Sequence, residues 1–147
     1  MDFRDCIEFA NKNPTCYLAT IDEKGWPKVR ALMLWFANEK GFHFSTHESK
    51  ALYRQLKDNN KAEACFYTPS PNGRLGRMLR VCGETEFIVS LEYKRRLLEE
   101  RPILKSLYGV EEADDPGPVI FRVFRGEAYF WTIEYNLRES EVEKIKF

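Results

Sequence analysis

Apolar residues at the start of the chain recur every three or four positions, which is the spacing of one helix face. The residues of this stripe are Phe3, Cys6, Ile7 and Ala10. The residue before a proline disfavours helical geometry, so Pro14 ends the segment. The pattern predicts a first helix that begins at Phe3 and ends near residue 13.

Beyond Pro14 the apolar positions alternate or run together over short stretches separated by turn-forming residues, which is typical of strands joined by hairpins. Helical spacing returns after STHESK and again over residues 92–100 and 102–108. We expect the last strand to bend at Gly126 and the charged tail after it to be exposed. The six predicted strands cover residues 15–20, 28–36, 42–45, 61–68, 78–89 and 119–134.

The second predicted strand, residues 28–36, is apolar on both of its faces. Alternation places Val29 and Met33 on one face and Leu32 on the other, with Arg30 as the one charge among them. Neighbours usually cover both sides of such a strand, so the pattern predicts a position in the middle of the sheet. Six strands at hairpin spacing favour a mainly β, antiparallel barrel of the α+β class, formed by one domain over residues 1–147.

Composition excludes several function classes. The 23 Lys and Arg balance the 23 Asp and Glu, so no bulk charge attracts nucleic acid or an anionic membrane, and an oligonucleotide-binding barrel is disfavoured. The longest apolar run, residues 31–37, is far shorter than the roughly 20 residues that span a bilayer. The N-terminus lacks the apolar segment of a secretory signal. We expect a protein of the cytoplasm that binds neither nucleic acid nor membrane.

The cysteines are widely spaced, with neither a CxxC pair nor a histidine at metal-ligand spacing. We therefore expect no metal site. Reduced cysteine behaves as a small hydrophobic residue, so we interpret the thiols as part of the core. The four residues are Cys6, Cys16, Cys65 and Cys82.

The candidate chemistry lies between the third strand and the helix after it. The start of a helix leaves backbone N–H groups unpaired and carries partial positive charge, so it attracts anions. Ser45, Thr46 and Ser49 add hydroxyl groups there. Lys50 adds a positive charge at a place where the helix dipole alone disfavours one. These residues predict an anion site.

Arg30 supplies a second positive charge if its strand lies beside the third strand, which the short turn at residues 38–41 favours. The apolar side chains of Leu32, Met33 and Trp35 then form the walls of a cleft that suits an aromatic ring system. A phosphate with a ring attached, such as FMN, fits this description better than free phosphate does.

The same residues allow an interpretation without a ligand. Ser45 and Glu48 have the spacing of a capping box, which satisfies a helix end without a ligand. The lysine is then a solvated surface charge, and Arg30 pairs with an acidic neighbour such as Glu63 or Glu84.

The two histidines are candidates for acid–base chemistry near such a ligand. We interpret His43, which lies within a strand, as a structural residue with satisfied hydrogen bonds, and we place His47 beside the anion site. Around the loop before the fifth strand, a basic cluster either receives an anionic substrate or is a solvated face. Its members are Arg74, Arg77 and Arg80.

Four sequence blocks cover most of the chain in a characteristic order: YLATIDEKGWPKVRALMLWF, FHFSTHESKALYRQLKDNNKAEACFY, MLRVCGETEF and VIFRVFRGEAYFW. In this order the chain resembles the pyridoxamine 5'-phosphate oxidase-like FMN-binding split barrels. The resemblance implies a six-stranded antiparallel split β-barrel that binds FMN. It implies flavin and phosphate contacts from a strand segment and phosphate contacts from the turn before a helix. The strand segment is Arg30, Ala31, Leu32 and Met33, and the turn residues are Thr46, Ser49 and Lys50, with Ser45 as a neighbour.

Two features depart from the oxidase. Met78 stands where the oxidase has a glutamine near the flavin ring, and the oxidase's C-terminal substrate-binding segment has no clear counterpart. The resemblance therefore implies a related flavoprotein, a homodimer with the flavin at the subunit interface. We expect an FMN-dependent oxidoreductase that acts on a small molecule by hydride transfer through the flavin. The alternative is a non-catalytic protein that carries or senses flavin, F420 or haem, since some relatives use the latter two.

Overall fold

The structure is a computed structural model that describes residues 1–147. Two short 3-10 turns, Ile133–Tyr135 and Glu139–Glu141, precede the last strand. None of the helices has the length and apolar character needed to cross a bilayer. The helices are α1 (Phe3–Lys12), α2 (Ala51–Asp58), α3 (Leu91–Glu100) and α4 (Ile103–Tyr108), and the strands are β1 (Thr15–Ile21), β2 (Pro27–Met33), β3 (Phe36–Asn38), β4 (Gly41–His47), β5 (Lys61–Thr68), β6 (Arg77–Ile88), β7 (Pro118–Trp131) and β8 (Ile145–Lys146).

The strands form one antiparallel sheet in the order β2-β1-β5-β6-β7-β4-β3, and β8 pairs with β7. Two residues connect its edge strands. Leu34 N–H donates to the Pro14 carbonyl just before β1, and Trp35 N–H donates to the His43 carbonyl in β4, both at 2.8 Å. These bonds draw the sheet edges together, so the sheet curls into a split barrel. The predicted α+β split-barrel class is confirmed, with eight strands instead of six.

The inside of the barrel holds the main core, a cluster of 19 buried residues. The apolar stripe predicted for the first helix faces this cluster, with Cys6 and Ala10 fully buried on α1. Helix α2 adds Leu52 and Leu56. Burial of side chains such as these two leucines stabilises the fold by about 1.5–3 kcal/mol each, so both helices are fixed to the inner side of the sheet.

The predicted central strand is an edge strand. The apolar run over residues 28–36 divides into β2 and β3, which lie at opposite edges of the sheet. Strand β2 pairs only with β1, and Val29 and Met33 are 70% and 52% exposed. The prediction of a middle position is wrong because apolar alternation reports a tendency to be buried and does not specify the neighbour that buries the strand.

Helices α3 and α4 cover part of the outer face, by which we mean the side of the sheet that points away from the 19-residue cluster. They contribute Leu97, Leu98 and Leu104 to a second cluster of six buried residues, which Ile120 of β7 joins. The Arg101 guanidinium between the two helices donates to the Leu34 carbonyl at 2.6 Å. This contact fixes the helices to the connection between the sheet edges.

The C-terminal tail, which was expected to be exposed, returns to the sheet. Strand β8 pairs with β7, and Gly126 and Phe147 exchange two backbone hydrogen bonds of 3.2 Å. The β6–β7 register shifts between Glu84 and Thr85, where Phe124 of β7 is left without a partner, and the bend expected at Gly126 stays a prediction. Gly126 pairs with Gly83, and a Cβ on Gly126 would lie only 2.0 Å from the Cys82 carbonyl oxygen. Close approach of two strands therefore explains this glycine.

Two of the four cysteines fill the core as expected. Cys6 and Cys16 are fully buried, and burial raises the pKa of their thiols to about 11 and about 12. Cys65 is half-buried and Cys82 is exposed, so the expectation of a core position is wrong for these two. Alternation explains the difference, because both are flanked by residues such as Ala64 that point into the core.

Candidate cofactor site

The turn between β4 and α2 presents backbone donors that the chain itself does not satisfy. Helix α2 begins at Ala51, and Lys50 occupies its N-cap position without a side-chain hydrogen bond. The N–H groups of Ala51, Leu52 and Tyr53 donate to no acceptor in the chain. Unpaired N–H groups at a helix start favour a bound anion. The start of α2 therefore presents the unpaired N–H groups that the sequence predicted.

The capping-box interpretation of this turn is wrong. Strand β4 continues to His47, so Ser45 lies inside the strand, too far from the helix to accept its N–H groups. The turn is organised by His47 instead. Its Nδ1 accepts from the Ser49 N–H at 3.2 Å and lies 2.8 Å from the Ser49 hydroxyl oxygen. The uncapped helix start is thus held in place from the strand side.

Thr46 adds a buried hydroxyl group next to this turn. The residue is 1% exposed, and its Oγ1 has no hydrogen-bond partner. An unpaired buried hydroxyl group destabilises a fold by about 1–3 kcal/mol, and a ligand that accepts a hydrogen bond from it offsets this destabilisation. Thr46, Ser49 and Lys50 follow one another around the turn, and their donor groups are those that a phosphate accepts from. The residues present fit a phosphate group.

A cavity of about 330 Å³ lies on the other side of the turn. Tyr108, at the end of α4, forms one wall and lies below Lys50, whose Nζ is 5.6 Å from the ring centroid. The His47 ring is 5.2 Å from the same tyrosine ring. Burial raises the pKa of the Tyr108 hydroxyl, so this group stays protonated near neutral pH. Ser45 lies on the same face of β4 as His47, opposite to Thr46.

Arg30 reaches α2 by a route that differs from the predicted one. Its strand pairs with β1 and not with β4, so the predicted strand pairing is wrong. The guanidinium donates to the Thr20 hydroxyl and to Gln55 Oε1 of α2, each at 2.7 Å. Burial lowers the Arg30 pKa. The arginine thus links β2 to α2 at Gln55, one turn beyond the start of the helix.

The ion pairs proposed for Arg30 do not form. Glu63 pairs with Arg80, and Glu84 pairs with Lys61 and Arg125. All three pairs lie on the outer face, whereas the Arg30 guanidinium turns to the inner side. The interpretation of Arg30 as half of a surface ion pair is therefore wrong.

The strand residues after Arg30 divide between two sides of the sheet. Leu32 packs against the main core. Ala31 and Met33 are exposed on the outer face, together with Val29 and Tyr17. The structure therefore brings Thr46, Ser49 and Lys50 together, connects Arg30 to them through α2, and leaves Ala31 and Met33 on a bare surface.

Sequence reasoning missed three residues of this region. Thr20 and Gln55 share a hydrogen bond of 2.6 Å and hold Arg30 between them. Tyr108 forms the wall of the cavity beside the turn. Gln55 stood within the apolar stripe of α2, a polar residue where an apolar one is expected, and this was the one signal available.

His43 has no role in proton transfer at this site. It is fully buried, and its ring stacks on Phe36 with the centroids 4.1 Å apart. Neither ring nitrogen has a hydrogen-bond partner, so the prediction of satisfied hydrogen bonds is wrong. Burial, with Arg122 nearby, lowers the pKa of His43 to about 4. The ring is neutral at physiological pH and is a packing element.

The three arginines predicted to form one basic cluster do not stay together: Arg74 and Arg77 line the same cavity before β6, whereas Arg80 points to the other face of the strand. Arg80 lies on the outer face and pairs with Glu63 and Glu139. Arg77 lies on the inner side and stacks on Phe130. Alternation along β6 separates them, because residues an odd number of positions apart in a strand point to opposite faces. The predicted cluster is therefore reduced to Arg74 and Arg77.

Comparison with known proteins identifies the relatives of this chain. A family model described as pyridoxamine 5'-phosphate oxidase matches residues 4–131. A pyridoxine/pyridoxamine 5'-phosphate oxidase from Pseudomonas paraeruginosa is 39% identical over 75 residues, which are 51% of this chain and 33% of that protein. Curated relatives from Agrobacterium fabrum and Burkholderia mallei carry the same name, and the chain spans 39% and 45% of their lengths. It is thus similar to less than half of each.

Solved structures share the fold over nearly the whole chain. A nimC/nimA family protein from Clostridium acetobutylicum has a TM-score of 0.76 at 23% identity, with 98% of this chain and 92% of that chain covered. A pyridoxamine 5'-phosphate oxidase-related, FMN-binding protein from Nostoc punctiforme has a TM-score of 0.67 at 15% identity, with 100% and 97% covered. The haem storage protein HutZ from Vibrio cholerae has a TM-score of 0.65 at 16% identity, with 90% and 95% covered.

Proposed function

The chain belongs to the pyridoxamine 5'-phosphate oxidase family, and on that premise we propose that it is a flavoprotein of the cytoplasm that holds FMN by its phosphate at the start of α2. The observation that carries the proposal is the uncapped start of this helix beside the unpaired, buried Thr46 hydroxyl. A phosphate accepts hydrogen bonds from both kinds of donor. The FMN-binding protein from Nostoc punctiforme, which shares the fold, supports the same cofactor.

The chain's own residues divide the task of holding FMN. Lys50, Ser49 and Thr46 bind the phosphate, and Arg30 adds a positive charge from β2 through its bond to Gln55. The backbone and side chains of Ala31, Leu32 and Met33 lie along β2, where the flat ring system finds apolar surface. When bound, FMN supplies hydride transfer, and the protein needs no nucleophile of its own.

The proposed substrate is a small molecule that exchanges hydride with the flavin. Pyridoxamine 5'-phosphate itself is disfavoured, because Met78 replaces the glutamine expected near the flavin ring and the chain corresponds to less than half of the oxidases it resembles. The cavity bounded by His47, Lys50 and Tyr108 is the space next to the phosphate site that a substrate can enter.

A second copy of this chain completes the proposed site. The outer face at β1 and β2 exposes Tyr17 (51%), Val29 (70%) and Met33 (52%), and Trp26 in the preceding turn is 65% exposed. Contiguous apolar surface rimmed by polar residues is typical of an interface, and aromatic residues and methionine are enriched there. A homodimer that covers this face would enclose the flavin ring between the subunits.

The alternative function is a carrier or sensor that binds a cofactor without turnover. HutZ, a haem storage protein of the same fold, gives this candidate its support. The histidines of this chain favour FMN over haem, because His43 is fully buried and His47 Nδ1 accepts from the Ser49 N–H, which places the proton of the neutral ring on Nε2. F420 also carries a phosphate and remains the second ligand to test.

The visible absorption spectrum of the purified full-length chain tests the proposal directly. We expect flavin bands and, after denaturation, release of a molecule with the mass of FMN. Lys50→Ala should weaken FMN binding about 10- to 100-fold, since a hydrogen bond to a charged group contributes about 1.5–3 kcal/mol. The control is Lys57→Ala at the other end of α2, which should bind FMN as the unaltered chain does.

Three outcomes would contradict parts of the proposal. A chain that stays colourless after addition of FMN overturns the cofactor, and F420 and haem are then added in turn. Equal FMN affinity of Lys50→Ala and Lys57→Ala overturns the phosphate position. If FMN binds but no nicotinamide donor reduces it, turnover by this route is overturned and the carrier function is favoured.

A further inference from the structure

Arg77 stands at the start of β6 in an environment unlike that of its neighbours. The guanidinium carbon lies 3.9 Å from the centroid of the Phe130 ring and 5.4 Å from that of Phe9. The residue is half-buried. Stacking on aromatic faces fixes a guanidinium while leaving the N–H groups in its plane free to donate. Arg77 is therefore held in place by packing and not by ion pairs.

The donors of Arg77 are almost all unused. One bond joins its Nη2 to the sulfur of Met1 at 2.9 Å, and no carboxylate comes within ion-pair distance. Arg80, Arg122 and Arg125 in the same pair of strands all pair with glutamates. A thioether is a weak acceptor, and a guanidinium has five N–H donors. Arg77 thus has donors available for an anion.

Three cavities meet at this arginine. A polar cavity of about 370 Å³ lies below the loop that precedes β6 and is lined by Ser70, Arg74 and Glu134. A largely apolar cavity of about 320 Å³ lies between β7 and β8 and is lined by Phe130, Tyr135, Val142 and Glu143. A third cavity of about 290 Å³ faces Asp5 and Glu8 of α1. Arg77 lines all three, and Thr132 lines the first two. A ligand with a polar head and an apolar body matches the first two cavities in chemistry and in order.

The loop over the polar cavity has a fixed base. Gly76 N–H donates to the Tyr67 hydroxyl at 3.1 Å. A Cβ on Gly76 would lie 1.9 Å from the Thr68 carbonyl oxygen, so the backbone passes too close for any other residue. The Ser70 hydroxyl is 2.6 Å from Asn72 Oδ1, which also accepts from the Arg74 N–H. The wall that carries Arg74 is therefore organised before any ligand binds.

We propose that the first two cavities together form a second ligand site, which binds a small molecule with a carboxylate head and an apolar, aromatic body. The planar fork of Arg77 matches a carboxylate, which accepts two parallel hydrogen bonds from it. Arg74 adds a positive charge on the polar side, where Glu134 also lines the cavity, and Phe130 and Tyr135 provide the surface for the body. Volumes near 300 Å³ are those of small-molecule pockets.

This second site is separate from the proposed FMN site. Its residues come from the start of β6, the end of β7 and the C-terminal tail, and none of them lines the cavity beside α2. Arg77 points to the inner side of β6, whereas Met78, adjacent in the strand, points to the outer face. The proposal does not depend on the identity of the cofactor.

The test uses 4-phenylbutyrate as the probe with the full-length chain, in the presence and absence of FMN. Titration followed by amide and arginine Nε NMR signals should show saturable binding in the millimolar range or tighter, with shifts at Arg77, Thr132 and Tyr135. The uncharged analogue 4-phenylbutanol and the head alone, acetate, should each bind at least about 10-fold more weakly, because each lacks one half of the ligand.

Two variants decide whether the arginine carries the binding. Arg77→Gln should weaken the binding of 4-phenylbutyrate about 10-fold or more. Arg77→Lys keeps the charge but loses the planar fork, so its affinity should lie between those of the unaltered chain and Arg77→Gln. Arg125→Gln, an exposed arginine on the outer face, is the matched control and should bind normally. Absence of saturation, shifts confined to α2, or equal binding by Arg77→Gln would overturn the proposal. FMN binding should be unchanged in all three variants, so failure of one proposal is distinguishable from failure of the other.

Discussion

The outer face of the sheet has one part that the chain itself covers and another part that it leaves exposed to solvent. Near β4 and the start of β7, helices α3 and α4 cover it, and Leu97 and Ile120 become fully inaccessible. At β1 and β2 nothing in the chain covers it, and Val29 and Met33 remain 70% and 52% exposed. Both parts carry apolar side chains at alternate positions. The difference lies only in whether the chain supplies a cover.

The comparison separates two sources of stability. A covered apolar face contributes to the free energy of unfolding of the single chain, because its burial is complete on folding. A bare apolar face contributes only when another molecule arrives. Substitutions in the covered part should therefore change the free energy of unfolding of the chain. Substitutions in the bare part should instead change its association with another molecule.

The largest expected effect is on the covered side. Leu97→Ala removes buried methyl groups beneath α3 and should lower the free energy of unfolding by about 2–5 kcal/mol. Urea denaturation followed by circular dichroism measures it. Val89→Ala, at a 98% exposed position just before α3, is the control and should change stability by less than about 0.5 kcal/mol. Equal effects of the two substitutions would show that α3 does not cover the sheet in solution.

An intermediate effect on the free energy of unfolding is expected from His43, whose ring is neutral because it is buried on the covered side. Its pKa is about 4 in the folded chain against an ordinary value near 6.5, so the unfolded state binds more protons between these values. Stability should therefore decrease as pH falls from about 6.5 to about 4, by up to about 3 kcal/mol from this residue.

The His43→Phe variant isolates that effect, because phenylalanine keeps the stack on Phe36 and does not titrate. Urea denaturation of both proteins at several pH values gives the difference in unfolding free energy. The difference should shift in favour of the variant as the pH falls. Parallel curves for the two proteins would mean that His43 is not buried as a neutral ring.

The smallest effect on the chain itself is expected on the bare side. Val29→Asp and Met33→Asp each place a charge on the exposed outer face of β2, where little changes in the folded monomer. Both should shift the proposed dimer to monomer in sedimentation equilibrium, since a charge at an apolar interface is not compensated. Val89→Asp controls for added charge. A monomeric unaltered chain, or variants that associate as it does, would remove the dimer from the proposed site.

Much of the local structure could be predicted from the sequence. The spacing of Cys6 and Ala10 located α1 and its buried face, and residues 61–68 are a strand with the predicted bounds. These features depend on neighbours in the chain, which periodicity reports directly. The predictions failed where a distant segment decided the outcome, at β2 and at the end of β4, whereas most of the tail is exposed as expected although its end pairs with β7.

The candidate site divides in the same way. Thr46, Ser49 and Lys50 are near one another in the sequence, so one helix start brought them together. Arg30 was predicted near them through the wrong strand, and its true contacts with Thr20 and Gln55 join three separate segments. Tyr108 comes from an insertion beyond β6 that no local pattern relates to the turn. Contacts of this kind depend on how the sheet closes.

The amino-acid pattern alone was sufficient for the fold class, most helix and strand positions and the cluster of donor groups before α2, because each follows from short-range geometry. Only the folded chain showed that the strand with two apolar faces lies at an edge, that Ser45 caps nothing, and that Arg77 lines three cavities without forming an ion pair. The physical reason is that hydrophobicity favours burial without specifying the partner, and the partner is set by sheet order and by which segments remain to cover each face.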